Sequence, residues 1–219
     1  MCGRFTLTID PIELAEYFQI VNLDELSFEP SYNVAPTHNV VAVVNNNGKR
    51  KAGFLRWGLI PFWAKDSKSF QFINARAETL STKPSFKHLS RRRCLILADS
   101  FFEWKKEGKT KKPFRILLKN KKPFAFAGLW DRWEHEGKQL KTCTIITTKP
   151  NEVVEPIHNR MPVILDNEKQ SIWLDRNIHN WDDLKPILST YPAKYMKAYE
   201  VSSIVNSPFN NSRKCIEPV

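Results

Sequence analysis

Cys2 stands directly behind the initiator methionine in "MCGRF". Methionine is ordinarily trimmed when the next side chain is small, and its loss gives Cys2 a free α-amine beside its thiol. Reference pKa values are about 7.7 to 8.0 for an α-amine and about 8.5 for a thiol, so both have a reactive fraction near neutrality. A 1,2-aminothiol condenses with an aldehyde and then closes a five-membered thiazolidine, which an internal cysteine cannot do. The same cysteine suits an N-terminal-nucleophile amidohydrolase or peptidase, whose thiol attacks an amide with its own amine as base. A bland alternative also stands, because the second residue of a chain is often frayed and arbitrary.

An aldehyde trap needs a proton donor to expel water from the carbinolamine and a base for ring closure. Glu103 in "SFFEW" fits. An alternating strand puts Phe101 and Glu103 on one face and Phe102 and Trp104 on the other, and such aromatic neighbours raise a carboxylate pKa towards neutrality. Its alternative is a strand-edge glutamate facing water. His158 in "IHNRMP" can shuttle protons or simply cap a helix end, and Arg160 beside it can grip phosphate through both arms of its guanidinium. In "NARAE", Asn74 can hold a polar substrate atom or cap a helix whose N-terminus attracts anions, and Arg76 follows two residues on. Arg4 in the opening motif adds a third arginine to the group.

The loop "RWGLIPFWAKD" carries Trp57, Pro61, Phe62 and Trp63. Trp57 is expected in the core. Pro61, Phe62 and Trp63 are expected to stack on bases or wedge between them. Lysine and arginine outnumber aspartate and glutamate by 34 to 23, a net charge of +11 that favours a polyanionic partner. The clusters at 91–93, 105–112 and 119–122 receive no specific role.

The elements that must position these residues are read from periodicity. With 219 residues, 42% of them hydrophobic, the chain can build one sizeable domain, taken here as 1–219. Asp10 and Pro11 open a helix over 11–20 with Ile12, Leu14, Ala15 and Phe18 on one face. "VVAVV" and "AGFLRWG" flank a turn at "NNNGKR" as a hairpin. A helix is expected from "NARAETL" and a short one from "KPSFKHLS". "RCLILADSFFEW", "KPFRILLK", "KPFAFAGLWDRW" and "KTCTIITT" then read as an antiparallel meander. A helix at 150–158, the strand "MPVIL", helices at "NEKQSIWL" and "WDDLKPIL" and a strand at "MKAYEVS" complete the chain; the tail has a loop-like composition. Cysteines 2, 94, 143 and 215 lack CxxC spacing, so neither a metal site nor a disulfide framework is expected, and the chain reads as cytoplasmic. No apolar run approaches membrane length, and a monomer is the default.

Taken together, "MCGRF", "YNVAPT", "RWGLIPFWAKD", "NARAET", "RRCLILADSFFEW", "AGLWDRW", "TCTIITT" and "IHNRMPVIL" resemble, in order and over nearly the whole chain, the SRAP family of SOS-response-associated peptidase-like proteins. The resemblance implies a single α+β domain with a twisted, barrel-like antiparallel β core flanked by helices, and an ordered tail. It implies a DNA-damage function: binding single-stranded DNA, capturing the ring-opened aldehyde of an abasic site and forming a thiazolidine DNA–protein crosslink. No cofactor is implied; peptidase-like removal of Met1 and abasic-site lyase chemistry are. By resemblance Cys2 is the covalent residue, Glu103 the acid and base, His158 a proton helper, and Asn74 a positioning group. Arg4, Arg76 and Arg160 match phosphate-holding residues, and Trp63 with its neighbours matches the base-separating loop. Leu97, Ser100 and Phe102 replace the proline, glycine and tyrosine common in the family, with Ser100 expected to alter a glycine turn.

Overall fold

The computed structural model describes residues 2–22 and 27–219. In chain order the elements are β1 (Phe5–Leu7), α1 (Pro11–Phe18), β2 (Ser31–Val34), β3 (Asn39–Asn46), β4 (Lys49–Trp57), β5 (Asn74–Arg76), β6 (Arg93–Ala98), β7 (Ser100–Glu107) and β8 (Thr110–Leu118). There follow β9 (Phe124–His135), β10 (Lys138–Thr148), β11 (Met161–Pro162), β12 (Ile164–Leu165), α2 (Asn167–Leu174), α3 (Trp181–Leu184) and β13 (Met196–Glu200). Two sheets form. One runs β13-β8-β7-β1-β2; in the other, β10, β4, β3, β6 and β9 close on themselves because β10 also pairs β9. The barrel-like α+β expectation is met.

The closure is local chemistry repeated. Asn47 and Gly48 both take positive φ, as do Glu136 and Gly137, the backbone that a tight two-residue hairpin requires. Strand β6 is buried along its whole length, which explains its unbroken apolar run. Alternate strand residues separate into two cores. Val41, Val43, Leu95 and Leu97 meet the helices through Leu14, Phe18 and Trp173. Val40, Trp57, Ile96, Phe126 and Ile145 meet the other sheet through Phe5 and Phe101, and Cys2 belongs to this second core.

Several expectations need correction. "RCLILADSFFEW" is two strands in different sheets: β6 pairs β3 and β9, whereas β7 pairs β1 and β8. The break is Asp99, whose carboxylate accepts from Thr6 Oγ1, Thr8 N and Thr8 Oγ1 and pins the chain where it changes sheet. The simple meander is therefore wrong. Residues 150–158 form successive turns rather than a helix, because Pro156 lacks the N–H that a helix interior needs and Asn151 Oδ1 takes the amides of Val153 and Val154. "WDDLKPIL" yields one α-turn and then a 3₁₀ turn at Lys185–Ile187. "KPSFKHLS" gives only a 3₁₀ turn.

Helix α1 begins with Asp10 accepting from Ile12 N and ends at Gln19, which adopts φ 58. Leu14, Ala15 and Phe18 are buried as expected, but Ile12 is 58% exposed, since the buried stripe is only one helical turn wide. Ser100 lies in β7, not in a left-handed turn, and its hydroxyl meets Thr6 and accepts from Arg115 Nε at 2.8 Å. The tail is tied down: Asn33 Nδ2 donates to Val205, Ser207 and Asn210 carbonyls, and Val201 bridges Pro218. Among the described residues no helix is long and apolar enough to cross a membrane.

Candidate functional site

Antiparallel pairing carries the start of the chain along β7. Phe5 faces Phe101, and Phe102 N donates to Arg4 O at 2.9 Å, so the same register sets the opening residues beside Glu103. Cys2 is fully buried. Burial pushes its thiol well above the usual range, and the Glu103 carboxylate raises it further. The expected reactive fraction near neutrality therefore does not hold for the thiol as folded; a base must take its proton. The expected loss of Met1 lies outside the described residues.

Glu103 is 2% exposed, which removes the solvent-facing alternative. Alternation works as expected: Phe101 packs with Cys2, while Phe102 and Trp104 pack with Val201, Val205 and Cys215 of the C-terminal segment. Burial raises the Glu103 carboxyl to about 7, so it exchanges protons where a cell operates. Its Oε1 lies 4.0 Å from Nδ1 of His158. Burial lowers the His158 pKa, which favours neutral imidazole, and Arg160 N donates to Nδ1 at 3.1 Å.

Arg160 links this pair to the "NARAE" segment. Its two terminal nitrogens reach Glu78 at 2.7 and 2.9 Å, and Nη2 also donates to Thr147 O at 2.7 Å. The guanidinium in turn holds the Glu78 carboxyl below its usual range. Asn74 is not a helix cap. It opens β5, which lies parallel to β10 with Asn74 beside Ile145 and Arg76 beside Thr147, and the ladder fixes its backbone as extended. With the cap goes the helix-terminus anion site. Asn74 Nδ2 donates to Ile73 O, and its buried Oδ1 has no hydrogen-bond partner among the described residues, an acceptor left open. Arg76 is exposed.

Arg4 is engaged within the fold: Nη1 donates to Asn33 Oδ1 and Val205 O, both at 2.7 Å, and the guanidinium lies 5.9 Å from the Trp104 ring centroid. Trp104 Nε1 donates to Asn206 Oδ1 at 2.7 Å. Glu103, Trp104, Lys106, Lys111, His158 and Asn206 line an open cleft of about 670 Å³. Sequence reasoning missed Lys106, Lys111, Asn206 and Glu78. The two lysines were legible only as turn-flanking charges, and nothing in the sequence indicates that the tail supplies Asn206.

The aromatic loop divides. Trp57 is in the core, Phe62 and Trp63 are 56% and 42% exposed, and Pro61 is buried. The buried carboxylate of Asp131 accepts from Phe62 N at 3.2 Å, from Arg92 Nη1 and from Arg132 N, and His88 Nε2 lies 3.4 Å away. Phe62 and Trp63 are braced by edge contacts with His88 and Phe70. Among the described residues no group of three His, Cys, Asp or Glu is placed to hold a metal ion.

A family model described as SOS response associated peptidase (SRAP) matches residues 1–208. The abasic site processing protein YoqW of Bacillus subtilis (strain 168) is 54% identical over 222 residues, covering 99% of both chains. The abasic site processing protein HMCES of Gallus gallus is 33% identical over 233 residues, covering 90% of this chain and 68% of that one. A crystal structure of a protein from Bacteroides thetaiotaomicron superposes with a TM-score of 0.88 at 26% identity over 100% of both chains.

Proposed function

This chain belongs to the SOS response associated peptidase (SRAP) family, and we propose that it processes abasic sites in single-stranded DNA by capturing their ring-opened aldehyde on Cys2. The observation that carries the reading is the buried Glu103 carboxyl, with its pKa near 7, beside Cys2 and His158. Relatives named as abasic site processing proteins support the lesion as target.

The chemistry begins once Met1 is gone, by peptidase-like self-processing. The Cys2 amine adds to the aldehyde carbon, forming a C–N bond and a carbinolamine. Protonated Glu103 gives its proton to the hydroxyl, which leaves as water, and an iminium forms. The Glu103 carboxylate then takes the thiol proton, and sulfur attacks the same carbon. The iminium π pair returns to nitrogen, and the ring closes. The sum is aldehyde plus aminothiol giving thiazolidine plus one water; the thiol proton replaces the one Glu103 lent, and the ring nitrogen ends as a neutral N–H. One carboxyl serves as acid and base because its pKa lies between the two demands. Neutral His158 assists proton movement during sugar-ring opening, Asn74 Oδ1 accepts from the sugar, exposed Arg76 faces a phosphate, and Arg4 and Arg160 do so on exchanging their internal partners Asn33 and Glu78. Phe62 and Trp63 stack on flanking bases.

The test is intact mass before and after incubation with a single-stranded oligonucleotide carrying one abasic site. The expected product lacks Met1 and gains the oligonucleotide mass less one water, survives heat and denaturant, and does not form with Cys2→Ser. A chain without Met1 that forms no adduct refutes capture and makes amide hydrolysis the leading chemistry.

A further inference from the structure

At the other end of the β3–β4 hairpin lies a second groove, of about 470 Å³. Among the described residues five cations line it, Lys51, Arg91, Arg93, Lys141 and Arg176, with Trp130 beside them and no carboxylate. An apolar extension from Val44 to Leu55 shares Lys51, Trp130 and Lys141. Lys51 stands six residues before Trp57, which packs in the Cys2 core, so the groove is about 20 Å along the strand from that end.

The cations differ in what they do. Arg93 is buried and donates to the carbonyls of Ser90, Trp173 and Asp175, so it is structural. Burial lowers its pKa to about 10; Asp175 opposes this shift and Arg91 adds to it. Lys51, Arg91, Lys141 and Arg176 make no ion pair among the described residues. Some lysines elsewhere are paired, as where Lys105 and Lys112 share Glu107 and Lys112 also reaches Glu200; what sets the groove apart is that its cations are gathered in one concavity. Grouped like charge costs self-repulsion, which a polyanion in the groove relieves.

We propose that this groove is a second seat for nucleic acid, in which Lys51, Arg91, Lys141 and Arg176 hold backbone phosphates of a strand beyond the lesion cleft and Trp130 offers ring surface beside them. The four cations come from four separate segments, β4, the turn before β6, β10 and the segment after α2, and the groove they line runs on into the apolar extension. That arrangement suits a phosphodiester chain better than a single free phosphate. The inference takes from the proposed function only that the ligand is nucleic acid; aldehyde capture plays no part in it.

The experiment compares the wild type with Lys51→Ala/Lys141→Ala/Arg176→Ala on undamaged single strands. One strand is of about 6 nucleotides, within one site size, and the other of about 30. Three lost phosphate contacts are expected to make the log–log salt slope shallower by about 2 on the long strand. The slope on the short strand is expected to stay as in the wild type. An unchanged slope on the long strand overturns the proposal, as does an equal loss on both lengths. Inorganic phosphate that, at constant ionic strength, lowers long-strand affinity to the short-strand value also overturns it by marking a small-anion site. Should the triple variant melt lower than the wild type, exposed Arg176→Ala alone is read, with an expected change of about 0.7 in slope. Adduct formation on a short abasic strand is scored in parallel, so failure of capture and failure of the groove are told apart.

Discussion

Glu103 Oε1 lies 4.0 Å from His158 Nδ1, and the two side chains come from β7 of one sheet and the turn before β11 of the other. Burial drives both towards their neutral forms, raising the acid and lowering the base. Burial thus disfavours charge on both groups, which is the condition the proposed proton transfer between them requires.

Capture by the wild type is expected to be fastest near pH 7, where Glu103 is part acid and part carboxylate. Glu103→Gln is expected to slow adduct formation by roughly 10²-fold and to flatten the profile between pH 6 and about 8. Single-turnover crosslinking across that range is the measurement. A variant that keeps the wild-type profile removes Glu103 from the acid–base role.

The same shift has a stability consequence. The folded pKa of Glu103 is raised above its unfolded value, so its neutral form favours the fold below about 4.5, and that contribution fades as pH rises through about 7. Above pH 7 the folded protein carries a buried charge that the unfolded chain solvates. Glu103→Gln is therefore expected to be more stable than wild type at pH 8, by up to about 3 kcal/mol, and equal at pH 4. Thermal melts at both values check the sign.

Arg160 spends its fork on Glu78, whereas exposed Arg76 does not. Glu78→Gln is expected to free the guanidinium and steepen the salt dependence of single-strand binding by about 0.7 in slope, and Arg76→Ala to flatten it by the same amount. Fluorescence anisotropy over a salt series reads both. Opposite signs are the diagnostic; the same sign for both refutes the division of labour.

Asp131 fixes the aromatic loop through the amide of Phe62. Asp131→Ala strands Arg92 and His88 and loosens Phe62 and Trp63, so stacking of about 1–3 kcal/mol per base should be lost from binding while the rate of capture at saturating DNA stays. Phe62→Ala should reproduce the affinity loss without the stability loss. Identical losses in all three quantities would place Asp131 in folding alone.

A Cβ on Gly128 would lie 2.9 Å from both Cys94 Sγ and Ile96 Cδ1, where β9 pairs with β6 and Gly128 faces Cys94. Gly128→Ala is expected to destabilise the fold by about 1–3 kcal/mol through overpacking. Denaturant melts measure it, and a neutral effect would show that β6 can recede.

The sequence by itself determined the local and chemical levels. The hairpin at Asn47-Gly48, the Asp10-Pro11 helix start, the alternation around Glu103 and the exposure of Phe62 and Trp63 all follow from backbone preference or strand periodicity within a few residues. The ordered motif set also identified the family and, with it, the barrel-like fold and the ordered tail. Tertiary structure decided what depends on partners distant in sequence. Asp99 splits one apolar run between two sheets because Thr6 and Thr8 arrive from the chain's start. Asn74 is extended because β10 offers a parallel ladder, which outweighs its capping tendency. Arg160 grips Glu78, and Asn206 reaches the cleft through Trp104. The Glu103 pKa belongs to this level too, since desolvation is a property of everything packed around a carboxyl and not of the strand that carries it.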